Sequence, residues 1–270
     1  MEQRLRFANG KVSCGTRVIL SGIPGNIVAD GPASANGIFL SLRGAEKASR
    51  HLVTLGKFRA IDRFLALYRY DPFWMTPAVG TSFSQIPEET QFLLLKLPCP
   101  ELYVAIVPLV KNAFRCSLQG NKDDTLGIVA DTADSQTTGS DVDCVFIDAG
   151  KDPHELIAAS ARSVSEYMGS GRLRAEKPLP DFLDLFGWCT WDAFYHEVSH
   201  DKIREGLKSF EAIGIQPKIL VLDDGWQSIT KDPEGKVIRR LTGFAANERF
   251  GGRLKKTVEM AKKEFGLRKF

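Results

Sequence analysis

Leu222-Asp223-Asp224-Gly225-Trp226 places two adjacent carboxylates directly after the run Lys218-Ile-Leu-Val-Leu222. That run is short and almost wholly apolar, the pattern of a parallel strand covered on both faces. Side chains at the end of such a strand project into the mouth of an α/β sheet or barrel, where these folds bind their ligands. Neighbouring carboxylates suit sugar hydroxyls, because each oxygen accepts charge-assisted hydrogen bonds. The plainer alternative is an acidic turn, solvated or capping the next helix.

Phe186-Gly-Trp-Cys-Thr-Trp-Asp-Ala-Phe-Tyr195 holds a second group of candidates, Trp188 and Trp191 with Asp192 beside the latter. An indole face can stack on the apolar face of a pyranose while neighbouring polar groups take its hydroxyls. Aromatic clusters also arise from core packing alone. The two groups fall on consecutive predicted strands, so their ends are expected to be neighbours and to share one site.

The elements that must position them follow from hydrophobic spacing. After residue 181 the pattern alternates, beginning with a strand over 182–188. Ser199 caps a helix carrying Ile203, Leu207 and Phe210, which stops at Gly214. The strand 218–222 comes next, then a helix with Leu254, Val258, Ala261 and Phe265 that stops at Gly266. Leu267-Arg-Lys-Phe270 begins a further strand. Such a β-α-β-α-β series implies a parallel sheet, doubly wound or barrel. No glycine-rich phosphate loop follows any of these strands, which disfavours a nucleotide-binding sheet.

From residue 1 to about 148 the apolar runs are short, β-branched or aromatic, and separated by turn residues. Arg17–Leu20, Gln91–Leu97 and Leu102–Val107 are examples. Many short strands argue an antiparallel β-sandwich over 1–152. Asp152 and Pro153 cap and open a helix whose Ile157, Ala161, Val164 and Met168 share one face. Residues 153–181 are read as a connecting helix and linker, and 182–270 as a second, α/β domain.

Composition sets the outer limits. The chain has 270 residues, 43% apolar and 26% charged, with net charge +3, an ordinary globular balance without a nucleic-acid or polybasic membrane footprint. No apolar run approaches the roughly 20 residues that span a bilayer. The first residues lack the apolar core of a secretory signal. Five cysteines (Cys14, Cys99, Cys116, Cys144, Cys189) without C-x-x-C spacing are expected as free, mostly buried thiols. A cytoplasmic protein is expected, with the plastid as alternative. His51, His154, His196 and His200 are scattered singly, so they take surface or supporting roles and no metal or cofactor site is predicted.

FGWCTWDAFY and LVLDDGWQS together resemble the plant raffinose synthase, seed-imbibition and alkaline α-galactosidase group of glycoside hydrolase family 36. LSGIPGNIV at 20–28, FWMTPAVG at 73–80, IPEETQFLLLKL at 86–97 and FIDAGKDPHELI at 146–157 agree in register. The resemblance implies an N-terminal β-sandwich followed by the first βα units of an incomplete (β/α)8 TIM barrel. It implies retaining galactosyl transfer among galactinol, sucrose and raffinose-type α-galactosides, with hydrolysis by an alkaline α-galactosidase as alternative. By this similarity Asp223 and Asp224 would hold galactose hydroxyls and Trp191 would form an aromatic wall. Cys189, Thr190, Asp192 and Trp226 would line the subsite. Trp74 would reach it from a sandwich loop, or else pack at a domain interface. The family's nucleophile lies in a Lys-x-Asp setting, and none follows Trp226. The catalytic carboxylates are therefore expected beyond Phe270. The competing class is a non-catalytic sugar-binding or scaffold module.

Overall fold

The computed structural model describes residues 4–32, 37–98, 102–231, 233–234 and 237–270. They form two compact units, Met1–Lys177 and Pro178–Phe270.

The first unit opens with β1 (Leu5–Ala8), β2 (Lys11–Cys14), β3 (Arg17–Ser21), β4 (Ile27–Ala29) and β5 (Ile38–Leu42). The longer β6 (Arg50–Phe58), β7 (Arg63–Asp71), β8 (Trp74–Gly80), β9 (Thr90–Leu97) and β10 (Leu102–Pro108) follow. β11 (Val110–Lys111), β12 (Phe114–Gly120), β13 (Leu126–Asp131) and β14 (Val142–Gly150) complete it. All 14 strands join one antiparallel sheet, where the sequence predicts a sandwich. Its hydrogen bonding resolves into two runs. One runs β1-β2-β3-β6-β13-β12-β11 and the other β8-β7-β9-β10-β14-β5-β4. They meet at a single residue pair, Leu118↔Thr90. Leu20, Leu55 and Leu118 of the first run share one core with Leu40, Leu95 and Ile147 of the second. Period-2 patterning builds this core: in β9, Leu93, Leu95 and Leu97 are buried while their neighbours are partly exposed.

Helix α1 (Pro153–Met168) covers part of the second run. Asp152 accepts from the His154 and Glu155 amides, Pro153 fills the first turn, and Gly169 ends the helix at φ 60°. The buried face is turned one residue from the expected one. Leu156 and Ser160 are buried, Val164, Tyr167 and Met168 pack, and Ile157 and Ala161 are exposed. This rotation stacks Tyr167 on Phe39 at 4.0 Å, with Phe39 against Phe146 at 4.6 Å. Below it, Asp143 of β14 meets Arg43 at 2.7 Å, Lys111 at 2.9 Å and the Ser41 hydroxyl at 3.0 Å. Burial pushes the Asp143 carboxyl up, but Arg43, Lys111 and Ser41 outweigh it and hold it at about 2.

The second unit contains β15 (Gly187–Cys189), α2 (Trp191–Phe194), α3 (His200–Ala212) and β16 (Ile219–Val221). A hairpin of β17 (Gln227–Lys231) and β18 (Val237–Ala246) and helix α4 (Lys255–Phe265) follow. β15 and β16 are parallel, and Lys269 bridges Ile219 in the same sense, so 267–270 lies on the other side of β16. Ser199 accepts from the Lys202 amide and Gly266 closes α4 at φ 68°, as the spacing requires. Val198, Ile203, Leu207, Leu220, Met260 and Leu267 form this unit's core. Two expectations need correction. Residues 182–186 precede the strand as turns with exposed Phe182, Leu183 and Phe186, and β15 begins only at Gly187. In β16 Leu220 is buried but Val221 is exposed, so the strand is not covered on both faces.

The cysteines divide. Cys14, Cys116 and Cys144 are free and buried, as expected, whereas Cys189 is free and exposed. Cys99 lies outside the described residues. His51 is buried rather than superficial, its Nε2 2.8 Å from the Gly139 carbonyl.

Candidate functional site

Parallel pairing sets the site. Cys189 is opposite Val221, so Thr190 and Trp191 leave one strand end beside Leu222, Asp223 and Asp224 leaving the other. Thr190 is fully buried between them. Its amide donates to the Val221 carbonyl at 3.1 Å, and its hydroxyl accepts from the Asp223 amide at 3.1 Å. The threonine thereby fastens the acidic turn to the aromatic segment.

Among the described residues, each of the four carboxylate oxygens has one partner. Asp223 Oδ1 accepts from the Asp224 amide at 2.7 Å, and Oδ2 accepts from the Cys189 thiol at 3.2 Å. Asp224 Oδ1 accepts from the Gly225 amide at 2.7 Å, and Oδ2 lies 3.3 Å from His196 Nδ1. Each oxygen keeps a second lone pair for another donor. Among the described residues no lysine or arginine forms an ion pair with either aspartate. The Trp191 amide draws the Cys189 thiol down, but burial and the Asp223 carboxylate outweigh it and leave the thiol above its ordinary value. A thiol held protonated is a donor here, not a nucleophile.

Trp191 is half-buried and meets Tyr195 edge-on at 5.3 Å and His196 at 4.9 Å. His196 thus touches both the Trp191 indole and the Asp224 carboxylate. The turn is held from behind by residues beyond the hairpin. Asn247 Nδ2 donates to the Gly225 carbonyl at 2.8 Å and to that of Gln227 at 3.3 Å. Arg249 donates to the carbonyls of Gly225 (2.9 Å) and His196, and to Glu197 at 3.0 Å. Gly225 itself has φ 101°, and a β-carbon there would meet the His196 Cα and carbonyl oxygen at 2.7 Å.

The structure therefore brings together Cys189, Thr190, Trp191, Asp223 and Asp224. Asp192 is exposed at the start of α2 and among the described residues bonds neither carboxylate. Trp226 packs on the unit's core and lines an apolar cavity of about 420 Å³ with Phe182, Val221, Leu254 and Phe270. Neither aspartate lines that cavity. Trp188 turns into the core, edge-on to Phe194 and Phe210, where Gly206 of α3 leaves room for its ring. Trp74 belongs to the first unit, exposed on β8 with its ring edge-on to Phe73. Sequence reasoning gave His196 no specific role and missed Asn247 and Arg249. His196 follows the aromatic motif directly and could have been suspected on that ground. Nothing near Asn247 or Arg249 in the sequence points back to residue 225.

Residues 5–266 match the family model described as raffinose synthase or seed imbibition protein Sip1. A probable galactinol–sucrose galactosyltransferase 6 from Arabidopsis thaliana is 34% identical over 98% of this chain and 40% of its own length. A galactinol–sucrose galactosyltransferase from Oryza sativa subsp. japonica is 35% identical over 86% of this chain and 31% of its own length. A GH36 α-galactosidase from Geobacillus stearothermophilus, solved with 1-deoxygalactonojirimycin, is 15% identical with a TM-score of 0.43, covering 87% of this chain and 35% of that one. The chain thus spans two fifths or less of these relatives' length.

Proposed function

The chain belongs to the raffinose synthase or seed imbibition protein family, and from that premise we propose that it carries the galactose-binding subsite of a galactosyltransferase. The complete protein moves an α-galactosyl group from galactinol to sucrose or a raffinose-type acceptor. One observation carries this reading: the two motifs of the family resemblance meet at the adjacent ends of paired parallel strands, with Asp223 and Asp224 beside Trp191 and His196. Ligands bind at such strand ends. Exposed carboxylate oxygens with spare lone pairs accept sugar hydroxyls, and an indole beside them takes the C–H face.

The finer fold goes with the function. Two strand runs joined at one pair and sharing one core support a β-sandwich for the first unit. Parallel β15, β16 and residues 267–270, connected through α3 and α4, support the opening βα units of a (β/α)8 barrel. Retention requires two carboxyl groups about 5 Å apart on opposite sides of the glycosidic bond. Asp223 and Asp224 share one turn and tie one oxygen each to its backbone, so their role is binding. The nucleophile and the acid/base belong to the remainder of the family's length.

Incubation of the complete protein with galactinol and sucrose, followed by product analysis, tests the proposal. Raffinose is the expected product. Free galactose alone would mark a hydrolase, and the absence of both would overturn galactosyl chemistry.

A further inference from the structure

The ribbon β17–β18 grows directly out of this site. Its first residue, Gln227, follows Asp224 by three positions, and its last, Ala246, pairs with Gln227. Asn247 then bonds back to the carbonyls of Gly225 and Gln227. The base of the ribbon and the turn bearing the carboxylates are one hydrogen-bonded structure.

Just above that base the register shifts. Gln227 faces Ala246 but Ile229 faces Leu241, so Ser228 alone stands against Thr242–Ala245. Bulges bend a ladder and re-aim side chains, and they gather beside active sites. Thr242 Oγ1 donates to the Ser228 carbonyl at 3.1 Å and anchors the end of this one that lies away from Ala246. Phe244 rides on it and is 89% exposed. Aromatic rings normally contribute by burial, so a ring held out in this way adds little to folding. It stands two residues before Ala246, the residue that pairs with Gln227 at the base of the ribbon.

We propose that Phe244 is the platform for the sugar unit linked to galactose, the part of an α-galactoside that extends past Asp223 and Asp224; this rests on the galactose subsite proposed above. A hexose presents C–H groups on its faces and hydroxyls around its rim. A phenyl ring takes a face, and the neighbouring ribbon offers the exposed Thr242 and the partly exposed Ser228 to the rim. A lone galactose at the carboxylates would not use the ring. Phe244 therefore sets preference for longer α-galactosides without strengthening the hold on galactose itself.

The test titrates the 270-residue chain with galactose and with raffinose, following tryptophan fluorescence. Wild-type protein should bind raffinose roughly five- to tenfold tighter than galactose, the worth of one aromatic contact. Phe244→Ala should bind both alike with galactose affinity unchanged, and Phe244→Tyr should restore the preference. Phe244 is exposed, so circular dichroism of both variants should match wild type. A raffinose preference that survives in Phe244→Ala would overturn the inference, as would equal weakening for both sugars. Galactose binding with no gain for raffinose would overturn the inference alone, whereas failure of both sugars to bind would overturn the galactose subsite with it. Unchanged sugar preference with lost self-association in Phe244→Ala would assign the ring to a contact between copies of the chain and also overturn it.

Discussion

Asp143 in the first unit and Asp224 in the second are both hydrogen-bonded aspartates beside a sheet, yet their surroundings differ in kind. Asp143 is met by two cations and a hydroxyl, and its side chain is 11% exposed. Asp224 is met by an amide of its own turn and an imidazole, and its side chain is 56% exposed. A carboxylate enclosed by guanidinium and ammonium groups has satisfied charge, and it fixes β5, β11 and β14 beneath α1. A carboxylate with lone pairs left towards solvent is poised for hydroxyls that come and go. The same residue type is therefore enclosed as architecture in one unit and, under the proposed function, left open for recognition in the other.

Breaking the architectural cluster should have the largest effect. Asp143→Ala leaves Lys111 without its carboxylate while Arg43 keeps Asp30, and urea unfolding should show a loss of about 2–3 kcal/mol. Sugar affinity of the second unit should stay within about twofold, because the sites share no partner. A loss below about 1 kcal/mol would place Asp143 with the weak surface pairs.

Asp224→Asn should produce the converse pattern. Replacing a charged acceptor with a neutral amide should weaken galactoside binding roughly ten- to a hundredfold, about 1.5–3 kcal/mol. Unfolding free energy should move by less than about 0.5 kcal/mol. Near wild-type affinity would leave Asp224 as a solvated turn and remove the contrast.

Acid titration should separate the two aspartates again. The folded-state pKa of Asp143 is depressed to about 2. Its stabilisation is thus complete above the unfolded-state value and fades as pH falls from about 4 to about 2, a total of about 2 kcal/mol. Asp143→Ala should lack this component of the pH–stability curve. An unchanged acid slope in that variant would show that the two cations do not stabilise the carboxylate.

The smallest effect concerns the thiol. Asp223 helps hold Cys189 above its ordinary pKa, so Asp223→Asn should speed its alkylation by iodoacetamide roughly two- to threefold at neutral pH, through a larger thiolate fraction. An equal rate in both proteins would separate Cys189 from Asp223 in solution.

The sequence was legible where a single residue decides a local structure. Asp152, Ser199 and Gly266 mark helix ends because each supplies or permits one specific backbone geometry. Leu156 and Ile157 show the limit: both are apolar and adjacent, and it is Leu156 that lies over Gly150 of β14 and is buried, which spacing alone does not decide. The run 182–186 misled because Phe182, Leu183 and Phe186 look like strand residues while standing exposed in turns. The hairpin 227–246 went unread, since its strands carry lysine, arginine and threonine without clean alternation. Within the site, Asp223, Asp224 and Trp191 were visible as residue types beside an apolar strand. The parts played by His196 and Arg249 were not, because their partners lie 28 and 24 residues away.

Gly225 carries a consequence for how this chain can drift under mutation. Every replacement that one base change in a glycine codon can make introduces a β-carbon, and at φ 101° that atom lands 2.7 Å from the backbone of His196. Position 225 consequently has no mild neighbours in codon space. In a selection for sugar-binding variants it should be among the most depleted positions although it has no side chain to offer a ligand. Losses at residue 225 would then register the distance between two backbone segments rather than any contact with sugar.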